Sequence, residues 1–271
     1  MPFIEVPGAR LYYETDGDRG MPALLLIHQG VANLRMWDEQ IEAFARGHFV
    51  IRYDARGFGR TEADPVGFSP ATDIRALLDA LEVPAATIIA NSQGGSFAFD
   101  FAVESPERVR GLMTIGSGAN GMPEVALLPD EQAQFDRLWQ LWAAHDWRAV
   151  NRGMVEVWNL RDGGTGEALD PAFVERAYAL NEGNPAYAGF EPQRVPADPP
   201  AFERLGALNV PVMVTVGEWD LSSEREHQRM LVEAIPGAEG HVFPRAAHMP
   251  SVQHPAEFEA FALDWLARHG L

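Results

Sequence analysis

Thr87-Ile88-Ile89-Ala90-Asn91-Ser92-Gln93-Gly94-Gly95-Ser96-Phe97 is the stretch around which this 271-residue chain is organised. An apolar run, Ala86 to Ala90, leads into Ser92, and helical patterning follows from Ser96 onward. A serine framed by small residues between a strand and a helix is the nucleophile-elbow pattern. The tight turn leaves the hydroxyl exposed above the sheet, and small neighbours let the strand and helix backbones approach closely. The usual frame is Gly-x-Ser-x-Gly, and Ala90, also small, stands in its first position. A serine hydroxyl is a weak nucleophile until a base takes its proton and a carboxylate orients that base. The elbow therefore predicts a histidine and a carboxylate on loops at the same sheet edge.

Outward from the elbow, the chain alternates strand and helix. Phe3 to Val6 and Leu11 to Thr15 read as an antiparallel hairpin across Pro7-Gly8. Ala23 to Ile27 is a continuous apolar run, as expected of a strand buried on both faces, and Phe49 to Tyr53 reads as the next strand. A helix is predicted between them, with Met36, Trp37, Ile41, Phe44 and Ala45 at helical spacing. Thr72 to Leu81 and Gly94 to Glu104 read as helices, and Val109 to Ile115 as the next strand. This order implies a parallel sheet with crossover helices. From Ala119 to Leu205 the pattern changes to helical segments broken by glycine and proline, carrying Trp139, Trp142, Trp147 and Trp158. Sheet order resumes at Val210 to Val216, followed by a helix near Arg225 to Ile235, a strand at Gly240 to Phe243 and a final helix from Pro255 to His269. The division expected is a core of residues 1–118 and 206–271, with 119–205 inserted as a helical cap over the carboxyl edge of the sheet.

Composition narrows the function. With 46% hydrophobic and 22% charged residues the chain reads as a soluble globular protein. Its net charge of -18 argues against nucleic acid or an anionic membrane as partner, because both are polyanions. All 21 basic residues are arginine, so a lysine Schiff base, a Ser-Lys dyad and a phosphate-loop lysine are excluded. With no cysteine there is no disulfide or thiol chemistry. Met1-Pro2-Phe3-Ile4-Glu5 shows no basic region followed by an apolar stretch, so a cytoplasmic location is expected.

The elbow's two partners can be placed. Val212 to Val216 runs into Gly217-Glu218-Trp219-Asp220, and the strand ending at Phe243 runs into Pro244-Arg245-Ala246-Ala247-His248. In a parallel sheet, loops that follow strands meet at one edge, so Ser92, Asp220 and His248 are brought together. Glu218 is the rival carboxylate, two positions earlier. His28 reads as a structural anchor of its loop, and His227 and His254 as exposed helix positions. Gly116-Ser117-Gly118-Ala119-Asn120-Gly121 matches the dinucleotide glycine pattern, but Met122-Pro123 follows it instead of an apolar helix face, so no cofactor is expected there. No metal-ligand spacing is present.

The chain resembles the cap-bearing serine hydrolases of the α/β-hydrolase superfamily over nearly its whole length. The resemblance rests on Leu26-Ile27-His28-Gln29-Gly30, Tyr53-Asp54-Ala55-Arg56-Gly57-Phe58-Gly59, Ser92 in its elbow, Gly217-Glu218-Trp219-Asp220 and His248-Met249-Pro250. It implies a mostly parallel, twisted eight-stranded sheet with helices on both faces. It implies Ser92 as nucleophile, His248 as general base and then acid, and Asp220 as the orienting carboxylate. An oxyanion hole is implied from the backbone N–H of Gln93 and of Gly30, with Val31 as the alternative. The family usually has His-Gly where this chain has His28-Gln29. Val31, Trp139, Trp142, Trp158 and Met249 are the candidate pocket residues. The expected activity is cofactor-independent hydrolysis of a carboxylic ester or related acyl compound, on a neutral, partly apolar small molecule. Carbon–carbon bond hydrolysis and perhydrolysis use the same triad, and a slow-turnover receptor on the same fold is the alternative from another class.

Overall fold

A computed structural model describes residues 3–187 and 192–271 of the chain. Its strands are β1 (Phe3–Val6), β2 (Ala9–Asp16), β3 (Ala23–Ile27), β4 (Phe49–Tyr53), β5 (Glu62–Ala63), β6 (Gly67–Phe68), β7 (Ala86–Asn91), β8 (Val109–Ile115), β9 (Gln193–Arg194), β10 (Val212–Gly217) and β11 (Glu239–Phe243). Its helices are α1 (Ile41–Phe44), α2 (Pro70–Ala80), α3 (Gln93–Glu104), α4 (Pro129–Ala143), α5 (Trp147–Trp158), α6 (Pro171–Asn181), α7 (Ala201–Arg204), α8 (Ser222–Ala234), α9 (Pro250–Gln253) and α10 (Pro255–His269). Eight strands form the main sheet in the order β1-β2-β4-β3-β7-β8-β10-β11, and the short β5 joins beside β2. From β4 to β11 every pairing is parallel, while β1–β2 and β2–β4 are antiparallel. The carboxyl ends of β3, β7, β8, β10 and β11 therefore open onto one edge.

Both faces of the sheet are covered. Successive residues of β3 point to opposite sides. Ala23, Leu25 and Ile27 pack into one apolar cluster with Ile74, Leu77 and Phe99. Leu24 and Leu26 pack into another with Trp37, Phe258 and Trp265. This double burial is why β3 reads as an unbroken apolar run, and why β4 and β7, buried at every residue, do not alternate between apolar and polar.

The structure departs from the sequence reading in three places. The helix expected over Met36–Ala45 is split into a 3-10 turn, Leu34–Trp37, and the short α1. Between them Asp38 is engaged by Arg52 and Arg176, and Gln40 Nε2 donates to the Ser251 carbonyl at 2.9 Å, so side-chain bonding outweighs the apolar period. The interval read as helical segments broken by glycine and proline also carries the two-residue β9, which pairs in parallel with β6. Finally, its end packs on α3: Ala197, Ala201 and Leu205 join the core cluster, and Arg194 Nη2 bonds Ser96 and Asp100, each at 2.8 Å. Among the described residues, no helix is long and apolar enough to cross a membrane.

The glycines after Ser92 explain how close α3 comes to the sheet. A Cβ at position 94 would lie 2.6 Å from the His28 carbonyl oxygen and 2.8 Å from the Ile27 carbonyl oxygen, both rigid backbone atoms. Gly94→Ala is therefore expected to lower stability by roughly 2–3 kcal/mol, the range of overpacking in a dense core. For a chain of this size that corresponds to a fall in Tm of several degrees. An unchanged melting curve would show that the two backbones do not meet so tightly.

Candidate active site

β7 ends at Asn91, and α3 begins at Gln93, leaving Ser92 alone in the turn between them. Its backbone sits at φ 52°, ψ -117°, a conformation that costs a non-glycine residue roughly 1–3 kcal/mol. The turn is held by the Ser92 N–H donating to the Ile115 carbonyl at 2.8 Å. Asn91 Nδ2 braces it from behind, donating to the Ile115 carbonyl at 2.9 Å and to the His248 carbonyl at 3.1 Å.

Asp220 follows β10, and His248 lies five residues beyond β11. Both are buried, and His248 Nδ1 is 2.9 Å from each carboxylate oxygen of Asp220. Asp220 Oδ1 also accepts from the Leu221 N–H at 2.8 Å. A carboxylate accepts only, so Nδ1 carries the proton and Nε2 is left as the basic nitrogen. Nε2 is buried without a protein hydrogen-bond partner. Such an imidazole can take a proton from a hydroxyl presented to Nε2, and the adjacent carboxylate stabilises the resulting cation. Gly116 makes room for the pair: a Cβ there would lie 2.7 Å from Asp220 Oδ2 and 2.9 Å from His248 Nδ1. The glycine run dismissed above as a cofactor loop thus packs against these two side chains, because β8 ends at the same edge.

Burial opposes protonation of His248, but the charge and hydrogen bond of Asp220, helped by Glu224, outweigh it and hold its pKa above the ordinary histidine value. Arg161 acts in the other direction. A base works in its neutral form, so kcat/KM is expected to fall as pH drops through this raised value. Glu224→Gln removes one of the charges that raise it, so the acid limb of the kcat/KM profile is expected to move to lower pH. A limb that stays in place or moves upward would contradict this.

Glu218, the rival acid, is turned away and accepts from the Arg245 N–H at 2.8 Å. His28 has both nitrogens occupied: the Ala55 N–H donates to Nε2 at 2.9 Å, and Nδ1 donates to the Gln29 carbonyl at 2.6 Å. Burial pushes its pKa down, as suits a neutral loop anchor. His227 and His254 are partly buried instead of exposed: His227 packs beside Gly118 and lies 3.6 Å from Glu224, and His254 Nε2 bonds the Arg245 carbonyl at 3.1 Å.

The two loops expected to flank a substrate oxygen adjoin each other. A Cβ on Gly30 would stand 3.0 Å from Gln93 Oε1, and the Gln93 N–H opens α3, where the first amides have no intrahelical acceptor. Val31 and Met249 are fully buried in the second apolar cluster. Trp158 stacks obliquely on His248, with ring centroids 4.7 Å apart, and Phe135 meets Trp158 edge-on at 5.6 Å. Trp139 is 56% exposed and pairs with Trp142, which in turn pairs with Trp147. A cavity of about 510 Å³ lies between α4 and α5, with Leu138, Gly153, Val157 and Arg161 in its wall and neither Trp139 nor Trp142.

Sequence reasoning missed the tie between α4 and the loop after β10. Glu131 of α4 is buried and bonded by Arg161 Nη2 at 2.8 Å, by the Ser222 N–H at 3.0 Å and by the Ser222 hydroxyl. Arg161 Nε reaches the Trp219 carbonyl at 3.1 Å. These residues are 30 to 91 positions apart, so no local pattern signals them.

Comparison with known proteins agrees with the fold. A family model described as the alpha/beta hydrolase fold matches residues 22–255. The rhodomycin D methylesterase DauP of Streptomyces sp. (strain C5) is 33% identical, over 89% of this chain and 91% of its own. The 2-hydroxy-6-oxo-6-phenylhexa-2,4-dienoate hydrolase of Burkholderia cepacia is 28% identical, over 90% of this chain and 87% of its own. Among solved structures, a hydrolase from Pseudomonas aeruginosa PA01 superposes with a TM-score of 0.75 at 26% identity, covering 97% of each chain.

Proposed function

Because this chain belongs to the α/β-hydrolase fold family, we propose that it is a cofactor-independent serine hydrolase cleaving a carboxylic ester or lactone. Ser92 attacks the carbonyl carbon as His248 Nε2 takes its proton, giving a tetrahedral oxyanion held by the N–H groups of Gln93 and Gly30. Collapse expels the alcohol, which receives the proton from His248. A water molecule, deprotonated by the same nitrogen, then hydrolyses the acyl-enzyme, and Asp220 keeps the imidazole in its working tautomer throughout.

The observation that carries this reading is His248: its Nδ1 is bonded to a buried carboxylate while Nε2 has no protein partner, at the edge where Ser92 stands in a strained turn. Ester cleavage draws further support from the 33%-identical methylesterase. Carbon–carbon hydrolysis is the second reading, favoured by the 28%-identical dienoate hydrolase. That relative's named substrate is a carboxylate, and the arginine that bears on His248 here, Arg161, has its guanidinium engaged by Glu131. This favours the ester.

The test is a fluorophosphonate probe with mass mapping of the modified residue. Covalent labelling confined to Ser92, with burst release from an activated ester, is the expected result. A protein inert to both the probe and a broad panel of short esters would overturn the reading and leave a binding role on the same fold.

A further inference from the structure

Gln29 lies in the loop after β3, between the loop anchor His28 and Gly30. It is fully buried, as is Asn159, the residue that follows Trp158 at the end of α5. Gln29 Nε2 donates to Asn159 Oδ1 at 3.1 Å, joining the loop after β3 to the cap across 130 residues of sequence. That single bond leaves Gln29 Oε1 and Asn159 Nδ2 both buried without a protein partner. Exchanging oxygen and nitrogen on both side chains gives the same result, one free acceptor and one free donor.

Two features mark this pair as more than a strap between loop and cap. Its position is the first: Gln29 adjoins Gly30 beside Gln93, whose Oε1 is also buried and unpartnered, and Asn159 adjoins the indole stacked on His248. The unpartnered hydroxyls of Thr87 and Thr114, by contrast, lie within strands β7 and β8. Polarity is the second. Buried amides are normally satisfied, and an acceptor and a donor left open on two bonded amides form the complement of a group that is itself both.

We infer that Gln29 and Asn159 select substrates bearing a neutral donor–acceptor group, a hydroxyl or a secondary amide, near the scissile carbonyl. This rests on the hydrolase reading above. The incoming group donates to Gln29 Oε1 and accepts from Asn159 Nδ2. A carboxylate accepts only and would leave the open amide oxygen of the pair without a donor, on a chain of net charge -18, so the pair selects against anions.

The experiment compares 4-nitrophenyl esters that carry a hydroxyl or an acetamido group on the acyl chain with their methyl and isobutyl isosteres. A second set carries the same groups on the alcohol part of simple acetate esters. At least a tenfold preference in kcat/KM for the polar members of one set is expected, since a site built for a hydrogen-bonding group discriminates against the analogue that lacks it. In Gln29→Met/Asn159→Leu that ratio is expected to collapse to within two- to threefold; Gln29→Met alone is expected to reduce it and serves if the double variant melts early. A wild-type protein that labels at Ser92 but shows no preference in either set overturns this inference alone. A preference that survives in the folded double variant does the same. Absence of both labelling and hydrolysis overturns the hydrolase reading, and this inference with it.

Discussion

Ser92→Ala is expected to lower kcat/KM toward an activated ester by about a millionfold, leaving only what substrate binding and the oxyanion donors supply. In free-energy terms that is about 8 kcal/mol of transition-state stabilisation. The size follows from the roles assigned: without the hydroxyl there is no acyl-enzyme, and His248 has no nucleophile to activate. Removing the other two members would cost little more, because the three act as one unit. Stability should be nearly untouched. The turn keeps its φ of 52° with either residue, and the Ser92 N–H bond to the Ile115 carbonyl belongs to the backbone. Steady-state kinetics beside a thermal melt checks both statements; a variant retaining a hundredth of wild-type activity would remove Ser92 from the role.

Asp220→Asn is the second large effect, expected at about ten-thousandfold in kcat with the fold intact. The local bonding gives the reason. Asp220 Oδ1 accepts from the Leu221 N–H, so an asparagine keeps its own oxygen there and turns its NH₂ toward His248 Nδ1. Two donors cannot face each other, so the imidazole proton moves to Nε2, the nitrogen that must accept from Ser92. The charge that raises the His248 pKa is lost as well. Residual activity should therefore show its acid limb at lower pH than the wild type. A loss below a hundredfold, or an acid limb in the wild-type position, would argue for another carboxylate, Glu218 being the rival in sequence.

Elements with strong local signatures were legible without coordinates. β3 is apolar on every residue and β4 on all but Arg52 because both faces are buried, and such runs have few readings other than a central parallel strand. Elements defined by side chains reaching across the chain were not legible. Met36 to Ala45 has a helical period, yet Asp38 and Gln40 are claimed by partners on β4, α6 and α9, and the helix breaks. The cap tryptophans show the same limit. Composition cannot tell Trp158, set against His248, from the exposed Trp139.

The sequence by itself determined the parallel sheet and the placement of Ser92, Asp220 and His248 past the ends of β7, β10 and β11. Each depends on local order: strand, then turn, then helix, with the chemically active residue just past the strand's end. Tertiary structure alone decided which nitrogen of His248 is free, that Gly116 belongs beside the Asp220–His248 pair, that Glu131 and Arg161 bind α4 to the loop after β10, and that Gln29 meets Asn159. These are contacts between residues distant in sequence, set by how the cap settles on the core. No periodicity encodes them, because the partners share no element whose repeat could bring them together. The elbow is legible in a few residues; the Gln29–Asn159 pair exists only when the chain is folded.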